Sequence, residues 1–183
     1  VNIKTTGCHG FCERGPIVVI QPGDVFYQRV KVEDIPQIVQ ETVIHGRFID
    51  RLLYVDPASG RKYIHPSEVP FYKGQKRIVF GHNGEIDPNN IEDYIALSGY
   101  LALAKAIEMS PVQIIEEVKH SGLRGCGGGG FPTGRKWESC RNAPGEPKYI
   151  IANCDEGDPG AYANRSLLEG NPHSVLEGLV IYE

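Results

Sequence analysis

Five of the six residues from 125 to 130 are glycine. Ordering a glycine costs more backbone freedom than ordering any other residue, so neither a helix nor a strand keeps such a run without a reason. The reasons available are positive φ or close approach of the main chain to a ligand. The flanks choose between them. The stretch R-G-C-G-G-G-G-F-P-T-G-R-K-W over 124–137 carries Phe131, Pro132 and Trp137, a composition foreign to a flexible linker. Arg135 and Lys136 follow directly, where cationic side chains can meet a phosphate already approached by backbone N–H groups. Gly125, Gly127 and Gly130 also satisfy G-x-G-x-x-G. That fingerprint belongs between a strand and a helix, whereas the residues before Gly125 read as a helix. A conventional dinucleotide-binding dehydrogenase, which would need a strand just before Gly125, is therefore the lesser reading.

The rest of the chain alternates β and α signals. Residues 17–20 and 25–30 are apolar and β-branched, joined by Gln21-Pro22-Gly23-Asp24, a turn sequence. Residues 33–45 place Ile35, Ile38, Val39 and Ile44 near one helical face, and 50–55 (DRLLYV) reads as a short strand. Pro57, Gly60, Pro66, Pro70 and Gly74 break any period over 56–75, which suggests a linker or arm. A strand is expected at 76–80 and a helix at 91–109, with Ile95, Leu97, Leu101, Leu103, Ala104 and Ile107 forming its apolar face. Ser110-Pro111-Val112-Gln113 opens a second helix with a capping box, fading at His120-Ser121-Gly122. Residues 148–153 (KYIIAN) read as a buried strand, 155–160 as an acidic loop, and Asn171-Pro172 as the start of a final helix.

Composition narrows the function classes. The 183 residues are 40% apolar and 23% charged, ordinary for a soluble domain or two. A net charge of −4 speaks against nucleic-acid or anionic-membrane partners. No run approaches the roughly 20 apolar residues of a spanning helix, and Val1-Asn2-Ile3-Lys4 does not resemble a secretory signal. A cytoplasmic location, free or peripheral to a membrane complex, is the expectation. The chain opens without Met and stops within a helical pattern, so both ends are expected to be cuts in a longer polypeptide. Five cysteines make a poor disulfide framework. Cys8 and Cys12 form a C-x3-C on a loop entering the first hairpin, which suits metal ligation. His9 lies between them without a ligand spacing of its own. His45, His65, His82, His120 and His173 are scattered, and the acidic loop lacks the twelve-residue pattern of a calcium hand.

S-G-L-R-G-C-G-G-G-G-F-P-T-G-R-K-W at 121–137 closely resembles the FMN loop of the NADH-binding flavoprotein subunits of complex I. That family includes subunits of NAD(P)-reducing or electron-bifurcating hydrogenases and NAD-linked formate dehydrogenases. N-C-D-E-G-D-P-G-A-Y at 153–162 resembles its second signature, and EDYIALSGYLAL at 92–103 and LEGNPH at 168–173 fit it too. The resemblance implies that Gly125, Cys126, Gly127, Gly128 and Gly130 form the FMN loop, with Lys136 on the phosphate. Asn153, Asp155 and Glu156 would hold the flavin ring or ribityl chain, Phe131 would stack near the nicotinamide nucleotide, and Asp158 would meet its ribose or amide end. Two positions depart from the pattern. Cys126 stands where the family usually has Arg, and Cys154 where it has Ala. A free Cys at such places is either a small buried apolar group or a thiol in reach of the flavin.

The N-terminal cysteines resemble the second half of a thioredoxin-like 2Fe-2S ferredoxin motif. Such a cluster needs four thiolates, so Cys8 and Cys12 are either two of its ligands or the remnant of a site. The implied fold is α/β: a partial thioredoxin-like ferredoxin domain (1–56), a linker (57–75) and an incomplete Rossmann-like FMN-binding domain (76–183). The implied activity is that of an NADH dehydrogenase-type flavoprotein. It would pass a hydride from NADH or NADPH to FMN and single electrons to iron–sulfur centres, including a 4Fe-4S cluster beyond this chain and partner iron–sulfur subunits. No acid–base catalytic residue is required. The alternative is a non-catalytic ferredoxin-like module serving assembly or electron carriage.

Overall fold

The computed structural model describes residues 1–8 and 10–182. His9 lies outside the described residues. The chain divides into two compact units, Cys8–Gly81 and the segment Val1–Gly7 together with His82–Glu183.

In the first unit, β1 (Val18–Ile20) and β2 (Val25–Tyr27) pair antiparallel with Val19 opposite Phe26, as the hairpin pattern anticipates. The turn between them puts Asp24 at φ +51, and Asp24 Oδ1 accepts from Gln21 Nε2 at 3.0 Å. β2 stops short of the expected Val30 because Arg29 turns the chain at φ +50. A helical segment follows, from a 3-10 turn at Val32–Asp34 through α1 (Ile35–Gln37) to a π-helical stretch at Ile38–Ile44. The wider i→i+5 ladder shifts the buried face to Ile38 and Thr42, leaving Ile35, Val39 and Ile44 exposed. Thr42 has a structural reason to be inside. Its hydroxyl hydrogen-bonds to the fully buried Tyr27 hydroxyl at 2.7 Å, and that hydroxyl accepts the Ile49 N–H at 2.9 Å.

β3 (Tyr54–Val55) pairs antiparallel with β4 (Lys62–Tyr63) around a turn held by the Asp56 carboxylate. The first half of the expected strand at 50–55 is a 3-10 turn, Asp50–Leu52, which carries Leu52 into the core. The expected linker at 57–75 instead folds into this unit. Val69 is fully buried, and Phe71, on the short α2 (Pro70–Lys73), stacks on Phe11 with ring centroids 4.1 Å apart. Aromatic burial organises this stretch turn by turn, and no sequence period is needed for it. The expected strand at 76–80 is absent. Ile78 is 81% exposed, and among the described residues no strand pairs with residues 76–80.

The second unit is helical: α3 (Ile91–Ala96), α4 (Leu101–Ile107), α5 (Pro111–Ser121), α6 (Thr133–Asn142), α7 (Ala163–Gly170) and α8 (Pro172–Tyr182). The single helix expected at 91–109 is broken at Ser98 and Tyr100, both at positive φ. The cause is a carboxylate far along the chain. Buried Glu177 of α8 accepts the Tyr100 and Leu103 N–H groups, each at 3.0 Å, together with the Tyr94 hydroxyl, and so caps α4. The corner also needs Gly99, since a Cβ there would lie 2.1 Å from the Tyr94 ring.

α5 begins with the anticipated capping box, Ser110 with Gln113, and ends at Gly122 with φ +69. α8 begins where expected, with Asn171 Oδ1 accepting the Ser174 N–H at 3.3 Å. α6 and α7 carry no clear start signal, and the sequence pattern does not reveal them. α6 packs on α5 through Gly134, where a Cβ would sit 2.7 Å from the Lys119 backbone nitrogen. Gly134→Ala should therefore destabilise the chain by about 2 kcal/mol, since the obstructing atom is main chain and cannot rotate away. Urea denaturation measures it.

Residues 1–7, expected in the N-terminal domain, belong to this second unit. Lys4 Nζ lies 2.6 Å from Asp93 Oδ2, and a Cβ on Gly7 would lie 2.4 Å from the Gly170 Cα. The expected strand at 148–153 is exposed, with Tyr149 at 78% and Ile151 at 82%. A strand requires a hydrogen-bonded neighbour, and among the described residues this stretch has none. The chain as a whole mixes helices with small sheets, but both sheets lie within Cys8–Gly81. No helix among the described residues is long and apolar enough to cross a membrane.

Candidate functional site

The glycine run forms a loop closed at its neck. Gly125 N–H donates to Phe131 O at 2.9 Å, Thr133 N–H donates to Leu123 O at 2.9 Å, and Arg124 Nη1 reaches Gly130 O at 3.1 Å. Inside that neck, Gly128 (φ +94) and Gly130 (φ +56) occupy the region closed to most side chains. A Cβ at Gly127, Gly128 or Gly129 would meet nothing within 4 Å, so the loop presents bare main chain to open space. Among the described residues, no N–H of 126–130 donates to a backbone carbonyl. Free donors on a glycine loop at the start of a helix form an anion cradle. α6 begins immediately behind, with Arg135 and Lys136 exposed near its start and in no ion pair among the described residues. Phe131 stands half exposed at the loop's exit. The element before the loop is α5, and Arg124 forms only an isolated bridge with Pro132, so the strand required by a conventional dinucleotide fingerprint is not there.

The second predicted cluster is a loop leading into α7. Asn153 Oδ1 accepts the Asp155 N–H at 2.9 Å, and Asp158 O accepts the Ala161 N–H at 3.0 Å. Glu156 caps α7, Oε1 accepting from Asn164 N–H at 2.7 Å and Oε2 from Arg165 N–H at 3.1 Å. Among the described residues, no hydrogen bond ties this loop to the glycine loop. Each loop is thus ordered by its own helix. Cys126 is exposed, while Cys154 is half-buried.

Cys8 and Cys12 are exposed with their sulfurs 4.0 Å apart, and Gly10 N–H donates to Cys8 Sγ at 3.2 Å. That spacing fits two thiolates on one tetrahedral metal, whose bonds to sulfur run about 2.3 Å. It is half a ligand set. Among the described residues, no three His, Cys, Asp or Glu side chains converge as a metal site. Among the described residues, the thiols therefore do not by themselves complete a 2Fe-2S centre.

A cavity of about 390 Å³ opens among α5, α6, α8 and residues 148–150, lined by Ile115, Trp137, Cys140, Tyr149, Ile150 and Tyr182 among others. None of the predicted cofactor residues lines it. Hydrogen bonding to Cys140, reinforced by burial, pushes the Tyr182 hydroxyl up to about 12. Neither this aromatic wall nor Glu177 stands out in the sequence. Each depends on contacts between distant segments, and only the apolar runs of α5 and α8 hint at a covered face.

Residues 118–183 match the family described as the Nuo51 FMN-binding domain. The NADP-reducing hydrogenase subunit HndC of Solidesulfovibrio fructosivorans is 50% identical over 109 residues, 60% of this chain and 22% of that protein. A subunit of the NADH-quinone oxidoreductase of Aquifex aeolicus is 47% identical over 93 residues, 51% of this chain and 22% of that protein. The alpha subunit of the NAD-reducing hydrogenase HoxS of Cupriavidus necator is 48% identical over 79 residues, 43% of this chain and 13% of that protein. The chain thus spans about a fifth or less of the length of these relatives.

Proposed function

We propose that this chain is the FMN-holding portion of an NAD(P)H-oxidising flavoprotein subunit, a reading supported by the match of residues 118–183 to the Nuo51 FMN-binding domain family. The observation that carries the reading is the glycine loop: a closed neck, two glycines at positive φ, unused N–H donors and, at the start of α6, two cations in no ion pair among the described residues. These features suit the phosphate end of FMN. The N–H groups of 126–130 would hold its oxygens and Lys136 would supply a counter-charge, with Arg135 beside it. Asn153, Asp155, Glu156 and Asp158 would order the ring, ribityl chain and nucleotide from the second loop, and Phe131 would offer an aromatic face to the nicotinamide. Bound FMN supplies the chemistry these side chains lack, accepting an electron pair and releasing single electrons. The protein's share is positioning and exclusion of water, and no proton-transferring side chain is asked for.

The complete reaction belongs to the longer protein. Its partners in this reading are iron–sulfur subunits of a multi-subunit oxidoreductase, and its place is the cytoplasm or the cytoplasmic face of a membrane complex. For the unit Cys8–Gly81 we assign a ferredoxin-like origin, with Cys8 and Cys12 offering two thiolates of a 2Fe-2S centre. The 4.0 Å sulfur spacing and the N–H donated to Cys8 support that assignment.

Lys136→Ala should weaken FMN binding by roughly tenfold, the loss of one charge-assisted contact. Fluorescence titration of the full-length apoprotein with FMN and with riboflavin tests this. FMN affinity should fall and riboflavin affinity should stay put. An equal fall for both would remove Lys136 from the phosphate.

A further inference from the structure

The acidic loop carries three carboxylates, and the structure separates them. Glu156 commits both oxygens to the first N–H groups of α7, at 2.7 Å to Asn164 and 3.1 Å to Arg165. Asp155 and Asp158 are exposed, and among the described residues their carboxylates accept no hydrogen bond. Both lie within two residues of Glu156, so their charges oppose its own. The positive end of α7 and two charge-assisted hydrogen bonds offset that repulsion. The backbone is fixed on either side, by Asn153 Oδ1 at the entrance and by the Asp158–Ala161 hydrogen bond at the exit.

The geometry points to Glu156 as a positioning residue, the latch that seats residues 153–158 on α7. This rests on the functional reading above and refines it, because Glu156 then shapes the site without touching flavin or nucleotide. A latch differs from a general stabilising contact in what it controls. Breaking it frees one loop and leaves the packing of α7 on α8 intact.

The test compares Glu156→Ala and the isosteric Glu156→Gln with Asp158→Asn in the full-length subunit. Amide exchange over 156–165, read by mass spectrometry with and without FMN, should accelerate at least tenfold in E156A, less in E156Q, and stay unchanged in D158N. With NADH, E156A should raise KM about tenfold with a smaller change in kcat, and the midpoint potential of bound flavin should stay at the wild-type value. Unchanged exchange in both Glu156 variants overturns the latch. A shifted flavin potential with unchanged exchange also overturns it, placing the Glu156 carboxylate on the flavin itself. If E156A fails to fold, E156Q decides by the same readouts. Wild-type protein that binds no flavin sinks the functional reading, while the exchange comparison still decides the latch.

Discussion

Glu177→Ala is expected to cost the helical unit about 3 kcal/mol, the effect of removing a buried charged acceptor from a cluster of donors. The carboxylate accepts two backbone N–H groups at the start of α4 and the Tyr94 hydroxyl. Truncation strips the acceptor from the buried Tyr94 hydroxyl and from the half-buried N–H groups of Tyr100 and Leu103, and it does so at a corner already holding Ser98 and Tyr100 at positive φ. Glu177→Gln keeps an acceptor and should lose roughly 1 kcal/mol. Urea denaturation gives both values, and a Glu177→Ala protein within about 0.5 kcal/mol of wild type would contradict the account.

Acid provides a second signature of the same residue. Burial alone would raise the Glu177 carboxyl, but hydrogen bonds from Tyr94, Tyr100 and Leu103 outweigh it and hold the group below the usual 4.5. The folded state then binds this proton less readily than the unfolded chain. Its contribution is complete above about pH 4.5 and fades as pH falls through the lower folded value. Glu177→Gln should flatten that part of the acid limb.

Gly128→Val should abolish measurable FMN binding, a loss of at least about a hundredfold. At φ +94 a β-branched residue is strained by more than the 1–2 kcal/mol typical of left-handed backbone. The loop would relax to negative φ and turn its N–H groups away from the phosphate, and the new side chain would stand in the open approach. The damage should be confined to the loop, since a Cβ at Gly128 meets nothing within 4 Å. Far-UV circular dichroism and melting should therefore match wild type while flavin content falls to zero. Full flavin occupancy in this variant would remove the loop from the site.

What was legible in the chain is what local chemistry decides. The hairpin around Gln21-Pro22-Gly23-Asp24 and the Ser110–Gln113 capping box each depend on residues within a few positions of one another, and both form as read. The glycine loop was legible for the same reason, because positive φ at Gly128 and Gly130 is a property of single residues. Reading failed where a distant partner decides. The apolar period across 91–109 is genuine, yet Glu177 breaks the helix from more than seventy residues away. Tyr149, Ile150 and Ile151 carry every local mark of a strand, but among the described residues they lack a neighbour to pair with. The proline-rich arm offered no period, and aromatic stacking of Phe71 on Phe11 folded it nonetheless. In the candidate site, the glycine run and the acidic string are legible in the sequence, and the contacts of Glu156 with Asn164 and Arg165 are not. Nothing in the string D-E-G-D shows that its glutamate caps the helix that follows.

The central claim, that this chain holds FMN for reaction with a nicotinamide nucleotide, is tested most directly by an anaerobic visible spectrum of the full-length native subunit before and after NADH or NADPH. The account predicts bound FMN whose absorbance near 450 nm bleaches on addition of one of these nucleotides, followed by reduction of iron–sulfur absorbance. A native subunit without flavin, or with flavin that neither nucleotide bleaches, would contradict it and favour an assembly module.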